Sequence, residues 1–545
     1  MTVASRLVAR LADLPPARTH RIAVDRGLRV PMPDGAALLA DRLYPRDAAT
    51  RHIVLIRTPY GRGRYLTPVT RAIAERGYQV VVQSTRGTFG SGGVFDPFRD
   101  EAADGMATLA WLAEQPWFGG SVAMTGASYL GFVQWAVAAS APPWLRALAM
   151  QVTASEFQSL IHPGGSFSLD SVLSWAHTVH HQEGTLPQVL RSLLRQRGEL
   201  ATVFAMAGPL AALDQAAVGR RVNFFHDWLE HADPDDPYWA AIDNSRRLAE
   251  VTVPVNMVGG WYDLFLPRQL ADYTALRAAG HRPHLTVGPW SHASPGVGGA
   301  ALRESLEWFD AHLRGLTDRL RPEPVRILVM GANEWRDLPD WPPPSTPVRW
   351  HLHPGGGLDR RPPEESSPDA YTYDPSDPTP SVGGIVLGPH AGPKDNRAVE
   401  ARPDVLVYTS PVLDRDVEII GAVSAELHVR SDSAHTDVFV RLCDVEPKGR
   451  SINICDGLVR LRPGRVSTDA DGVARVVVEI WPTAHRFLRG HRIRLQVSGG
   501  AHPRFARNLG DGEPLGTSAT CTVSRQELYH DPAHPSAVVL PHTSG

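Results

Sequence analysis

The sequence predicts an α/β fold with two additions: a parallel sheet flanked by helices, a helical segment inserted into it, and a β-sandwich towards the C-terminal end. Three observations predict this. Short β-branched runs alternate with helical patterns from about Arg21 to Ser140 and resume at Val253, the order that produces parallel strands joined by helices. Between the two stretches the text is helical and rich in His and Trp. After Gly315 it turns Pro- and Gly-rich, with many short alternating runs, as in all-β sandwiches and jelly rolls. A chain of 545 residues also exceeds the roughly 250 to 300 residues that one hydrophobic core supports. The expected division is 1–141 for the first part of the core, 142–247 for a helical cap, 248–318 for the second part of the core and 319–545 for a jelly-roll sandwich.

Taken in order, the first part reads HIVLIRTPY, VTRAIAERG, YQVVVQSTRG, DGMATLAWLAEQPW and VAMTG, which is βαβαβ. Ile53 to Ile56 and Val80 to Val82 are apolar on both alternating faces, as strands covered on both sides must be. From Pro142 to Arg247 the strand signal is lost, and LDSVLSWAHTVHHQEG, LPQVLRSLLRQRGEL and VNFFHDWLEHADPDDPYW read as helices. The sheet restarts with VPVNMVGGWYD, a helix through Pro267 to Ala279, the strand HLTVGPW and the helix RESLEWFDAHLRG. The sandwich is read from VRILVM, EIIGAVSAELHVR, DVFVRLCDV, RVVVEIW and HRIRLQVSG, with Pro342 to Asn396 mostly loop.

Composition narrows the function. Hydrophobic residues at 43%, charged residues at 21% and a formal net charge of -3 match an ordinary globular mix. Basic residues are scattered and form no tract interleaved with aromatics, which argues against a nucleic-acid partner. No apolar run reaches the roughly 18 residues of a membrane span. Arg6, Arg10 and Asp13 interrupt the first apolar stretch, so no secretory core is read and a cytoplasmic location is the expectation. Cys443, Cys455 and Cys521 lack the spacing of a disulfide framework or zinc site, although a hairpin turning at Pro447 to Gly449 leaves a Cys443–Cys455 bond open. The adjacent pair His180 and His181 lacks metalloprotease spacing, and Gly61-Arg62-Gly63 lacks the Lys-Ser/Thr of a phosphate loop. No metal and no cofactor are expected.

The chemistry starts at VAMTGASYLGFV, where Ser128 lies between a buried strand and an apolar helix with Gly126 two residues before it. A nucleophile elbow needs this arrangement, because the serine sits on a sharp turn and small neighbours let strand and helix approach. The usual five-residue form has glycine at position 130; here Leu130 stands there and the glycine is Gly131. A hydroxyl nucleophile needs a base, and the base needs an acid to hold its tautomer. In the α/β-hydrolase order both follow the serine, acid first, each just after a strand. VPVNMVGGWYD supplies Asp263 and LTVGPWSH supplies His292. Each residue alone has a plainer reading, as a helix cap or a surface histidine. Three in the required order make a Ser128–His292–Asp263 triad the better reading.

RTPYGR at 57–62, STRGTFGSGG at 84–93, GASYLG at 126–131, DPDDPYW at 233–239, GGWYD at 259–263 and GPWSH at 288–292 together resemble the cocaine esterase and X-prolyl dipeptidyl-peptidase group of serine hydrolases, with its glutaryl-cephalosporin acylases and α-amino acid ester hydrolases. The resemblance spans nearly the whole chain and implies the same three-part fold. It implies Ser128 as nucleophile, His292 as base and Asp263 as its orienting partner, with the Tyr60 hydroxyl and the Tyr129 backbone N–H as oxyanion donors. It also implies a homodimer through the β-rich part. Ser84 departs from the pattern, standing where the group often has an acid.

Under a closing cap, Trp175, His177, His181, Phe224, Phe225 and Trp228, together with Trp261 after the restart of the sheet, are candidate pocket walls, or else the cap's own core. A peptidase or amino-ester hydrolase must also hold an ammonium, for which Glu156, Asp170, Asp227, Glu230 and Asp236 are the candidates. The preferred function is a serine esterase or acylase acting on a small to medium ester or amide. The alternatives are an X-prolyl dipeptidyl-peptidase or α-amino acid ester hydrolase, an acyltransferase with the same triad, and a non-catalytic binding protein on the same scaffold.

Overall fold

A computed structural model describes residues 2–47, 51–63, 66–388 and 390–543. Ten strands form the first sheet: β1 (Ile22–Pro31), β2 (Ala37–Pro45), β3 (His52–Thr58), β4 (Gln79–Ser84), β5 (Ser121–Ala127), β6 (Leu145–Gln151), β7 (Val255–Tyr262), β8 (His284–Ser291), β9 (Val325–Val329) and β10 (Glu334–Leu338). Their order is β1-β2-β4-β3-β5-β6-β7-β8-β9-β10. The run from β4 to β9 is parallel, and β1, β2 and β10 pair antiparallel at the edges. Every residue of β4 and β7 is buried, because helices cover both faces of a parallel sheet. The C-terminal ends of β5, β7 and β8 therefore open on one rim, where such sheets place their sites.

Two expectations about boundaries are corrected here. The segment read as losing its strands after Pro142 contains β6, LRALAMQ, which pairs with β5 and β7. Its alanines carry little strand propensity, and burial between two neighbours decides its state. VRILVM, assigned to the sandwich, supplies β9, which pairs parallel to β8 and belongs to the core sheet. The helical insertion between β6 and β7 includes helices Leu169–His181, Leu186–Phe204 and Asn223–Glu230. The second of these opens with a Thr185/Gln188 capping box.

From Thr346 onward the chain forms a jelly-roll β-sandwich, almost wholly antiparallel. Its longest pairing runs Val417–Ser431 against Ala474–Phe487. Pro342 to Asn396 is mostly loop, as expected, although strands Thr346–His353, Gly357–Asp359 and Asp369–Tyr373 lie within it. In the hairpin Thr436–Val445/Ser451–Leu461, Cys455 stands opposite Leu442 and Cys443 opposite Asn453. The two thiols are therefore not cross-strand partners; both are buried and free. Among the described residues, no helix is long and apolar enough to cross a membrane.

The sandwich is joined to the core by backbone and charge. Met330 N donates to Ala484 O at 2.9 Å, and Arg486 N donates to Met330 O at 2.8 Å. Glu418 on the sandwich accepts from Arg336 of β10 and from Arg486, each at 2.7 Å. The Tyr262 hydroxyl at the end of β7 donates to Asn453 O at 3.2 Å.

Candidate active site

Ser128 sits between β5 and the helix Tyr129–Ala138 with φ 59° and ψ -122°, a backbone state that costs on the order of 1 to 3 kcal/mol in a residue with a side chain. Backbone and side-chain hydrogen bonds hold it there. Ser128 N donates to Gln151 O at 2.9 Å, Phe132 N to Ser128 O at 3.0 Å, and the Thr153 hydroxyl to Ser128 O at 2.8 Å. The glycine spacing now has a physical reason. A Cβ on Gly126 would lie 2.2 Å from Leu130 Cβ, and one on Gly131 would lie 2.4 Å from Thr153 Cγ2. The glycine at 131 makes room for β6 and its continuation, and Leu130 needs the glycine at 126.

Asp263 follows β7 and is fully buried. Its Oδ1 accepts from Phe265 N at 2.9 Å, and its Oδ2 is 2.6 Å from His292 Nδ1. An acceptor on Nδ1 puts the ring proton there and leaves Nε2 as a lone pair. His292 Nε2 has no protein partner among the described residues, and His292 lines one cavity together with Ser128 and Tyr60. No hydrogen bond joins Ser128 Oγ to His292.

Tyr60 ends the β3 turn, and its hydroxyl accepts from Trp175 Nε1 at 3.0 Å. Burial pushes its pKa up to about 12, against the opposing effect of that bond. The phenol therefore keeps its proton and has it free to donate. Tyr129 N–H occupies the first position of its helix, where no intrahelical carbonyl faces it. The Tyr129 ring turns away from the cavity: its hydroxyl donates to Glu101 Oε1 at 2.7 Å and accepts from Phe98 N at 3.0 Å. Glu101 in turn pairs with the fully buried Arg57 at 2.8 Å. Ser84, the departure noted above, accepts from Arg62 at 2.7 Å, and Asp41 lies 3.3 Å from the same guanidinium.

A family profile for the X-Pro dipeptidyl-peptidase S15 family matches residues 34–294, and one for the X-Pro dipeptidyl-peptidase C-terminal non-catalytic domain matches 320–539. The cocaine esterase of Rhodococcus sp. (strain MB1 Bresler) is 34% identical, over 95% of this chain and 98% of that protein. This chain belongs to the S15 family of serine hydrolases. Two solved structures share its fold at a TM-score of 0.82. One is an aminopeptidase from a marine sediment archaeon, Thaumarchaeota archaeon, 21% identical over 98% of this chain and 99% of that one. The other is an α-amino acid ester hydrolase, 22% identical over 97% and 98%.

The S15-family hydrolase described here has a cavity of about 1200 Å³ at Ser128, large for the 300 to 1,000 Å³ common among ligand sites. A narrow apolar slot of about 50 Å³ adjoins it, bordered by Ser128, Tyr60, Phe98, Phe157, Trp228 and Phe265. Of the expected wall residues, Trp175 borders both spaces and Trp228 the slot. The others do not reach them. Phe224 packs on Trp175 and Trp228, and Phe225 on Phe167. His177 is buried between His181 and Glu199, while His181 borders a separate surface pocket shared with the helix Leu186–Phe204. Trp261 lies under the sheet, donating to Leu328 O and packing on Trp341. Large aromatics in these positions fill the core.

Sequence reasoning missed two contributions and left the candidate acids undivided. The sandwich, not the cap alone, walls the cavity through Val382, Leu387, His390 and Lys394. Phe98 holds φ 73° and stacks on Phe157 at 3.9 Å between ring centroids, and no local pattern marks it. Among the five candidate acids only Asp170 lines the cavity. Asp236 braces the cap through His231 and Tyr238 N.

Proposed function

We propose that this hydrolase cleaves a small to medium ester or amide through an acyl-enzyme on Ser128, with His292 as base and Asp263 as its orienting partner. The observation that carries the reading is the strained elbow serine in one cavity with a histidine whose Nδ1 is committed to a buried carboxylate. His292 Nε2 takes the Ser128 proton as Oγ attacks the carbonyl, and returns it to the departing alcohol or amine. The tetrahedral oxyanion is met by the Tyr60 hydroxyl and the Tyr129 N–H, each such donor contributing about 2.7 to 4 kcal/mol in the transition state. Water then repeats the two steps on the acyl-enzyme. The apolar slot suits a compact apolar group next to the scissile carbonyl, and the wide cavity suits the remainder, which favours an ester or acylase substrate over a free peptide end.

The test is turnover of a panel of p-nitrophenyl esters and aminoacyl-p-nitroanilides by wild type and Ser128→Ala, with fluorophosphonate labelling mapped by mass spectrometry. Turnover of one class, its loss by several orders of magnitude in the variant, and label on Ser128 are expected. An inert wild type with Ser128 unlabelled rejects the reading.

A further inference from the structure

Phe98 borders the apolar slot beside Ser128 from a turn just ahead of the helix Glu101–Ala113. Its φ of 73° lies in the left-handed region, which a bulky residue keeps only where its surroundings over-determine it. Its ring stacks on Phe157 at 3.9 Å and on Tyr129 at 4.6 Å between centroids, and meets Phe132 edge-on at 4.9 Å. Stacking places the ring but does not fix the backbone behind it.

The backbone is held by Tyr129, whose hydroxyl accepts from Phe98 N at 3.0 Å. An amide N–H can only donate, so the phenol accepts there and gives its own proton to Glu101 Oε1, at 2.7 Å. The carboxylate is fixed in turn. Glu101 Oε2 lies 2.8 Å from Arg57 Nη1, which also donates to Glu101 O at 2.9 Å, and Arg57 Nε donates to Gln83 Oε1 at 2.8 Å. Phe98, Tyr129, Glu101 and Arg57 are all buried, so a bond lost here leaves a polar group that solvent does not reach. The chain of bonds thus runs from β3 to the slot wall, and the Tyr129 hydroxyl is the link that meets Phe98.

We propose that the Tyr129 side chain is a specificity-determining positioning group: its hydroxyl holds Phe98 in the slot wall and so sets how long an acyl group the slot accepts. The proposal rests on the reading of Ser128 as the nucleophile and of the slot as the space next to the scissile carbonyl. It assigns the phenol a task separate from that of the Tyr129 N–H.

Tyr129→Phe tests it, because this change removes one oxygen and keeps the ring that stacks on Phe98. Phe98 N–H then becomes a buried donor without that acceptor, and the left-handed turn relaxes. The quantity read is the ratio of kcat/KM for p-nitrophenyl butyrate to that for p-nitrophenyl octanoate. The wild type is expected to prefer butyrate by at least about tenfold, the lower end of what one misplaced methylene costs in a closed pocket. Tyr129→Phe is expected to narrow the preference to about threefold or less, and Phe98→Ala, which opens the slot directly, to narrow it likewise. Both esters slowed alike in Tyr129→Phe, with the ratio kept, overturns the proposal, since a general loss of structure or of the N–H donor falls on every ester equally. A ratio kept in Phe98→Ala overturns it whether or not Tyr129→Phe folds, as does a wild type without the preference. A wild type that turns over neither ester and leaves Ser128 unlabelled by fluorophosphonate fails the hydrolytic reading and this proposal with it; turnover with an unmoved ratio fails this proposal alone.

Discussion

Replacing Tyr60 by Phe removes one oxygen from the cavity and tests the oxyanion assignment directly. The hydroxyl accepts from Trp175 Nε1 at 3.0 Å, so its own proton is not used in that bond and is available to an oxyanion. Loss of one such donor lowers kcat by about 10² to 10³, or about 2.7 to 4 kcal/mol. KM should change little, because the donor serves charge that develops only in the transition state. Trp175→Phe is the paired control: it removes the bond to Tyr60 and leaves the phenolic proton, so its loss should be an order of magnitude smaller. The pH behaviour follows from the same burial. With a pKa pushed up to about 12, Tyr60 is protonated below that value and the donor is lost only as pH rises through it. The wild-type rate should therefore show no loss attributable to Tyr60 between about pH 8 and 10. Steady-state kinetics on the best p-nitrophenyl ester, with pre-steady-state acylation rates, reads all three quantities. A Tyr60→Phe enzyme within about threefold of wild type in kcat, or one altered only in KM, would refute the donor role and leave Tyr60 as a wall residue.

Three further outcomes are expected. Asp263→Asn should lower kcat by about 10⁴ while the protein stays folded, because an amide at the His292 Nδ1 position favours the wrong tautomer; an unchanged rate would remove Asp263 from the triad. Gly131→Ala forces a methyl to 2.4 Å from Thr153 Cγ2, and should lower stability by about 1 to 3 kcal/mol, as overpacking does, with loss of activity as the Ser128 turn shifts; thermal melting and turnover together check this, and a wild-type melt would contradict it. Glu418 is held at about 2, since the Arg336 and Arg486 hydrogen bonds outweigh the upward push of burial. A depressed pKa contributes stability above the unfolded value of 4.5 that is lost as pH falls through about 2, so Glu418→Gln should be less stable than wild type by about 1 kcal/mol at pH 7, given solvent screening. The gap should close between about pH 4.5 and 2, and a gap that is constant with pH in melting scans would show that the clamp is not electrostatic.

How much of this was legible in the residues depends on how local the signal is. Ser128, Asp263 and His292 each follow a strand with a buried run, and the nucleophile is flanked by glycines, so chain order and context were sufficient to single them out. The displaced glycine looked like an imperfect motif and is instead a packing requirement, which appears only once Thr153 is brought against Gly131. β6 escaped notice because alanine and leucine do not mark a strand, and its state is set by hydrogen bonds to β5 and β7. His177, Phe225 and Trp261 were singled out for residue type, and type does not reveal which way a buried side chain points.

By itself the sequence determined the α/β core, the helical insertion, the sandwich and the order of the candidate catalytic residues, because hydrophobic periodicity and turn residues are written within ten or so neighbours. Only the tertiary structure decided what surrounds Ser128. The cavity wall draws on Trp175 of the insertion, Leu387 and His390 of the sandwich and His292 of the core, three segments far apart in the chain whose meeting depends on long-range packing. The same packing gives the Phe98 N–H its acceptor in Tyr129 and leaves Tyr60 with a free proton. Both facts concern hydrogen-bond partners, and partners are chosen by the fold.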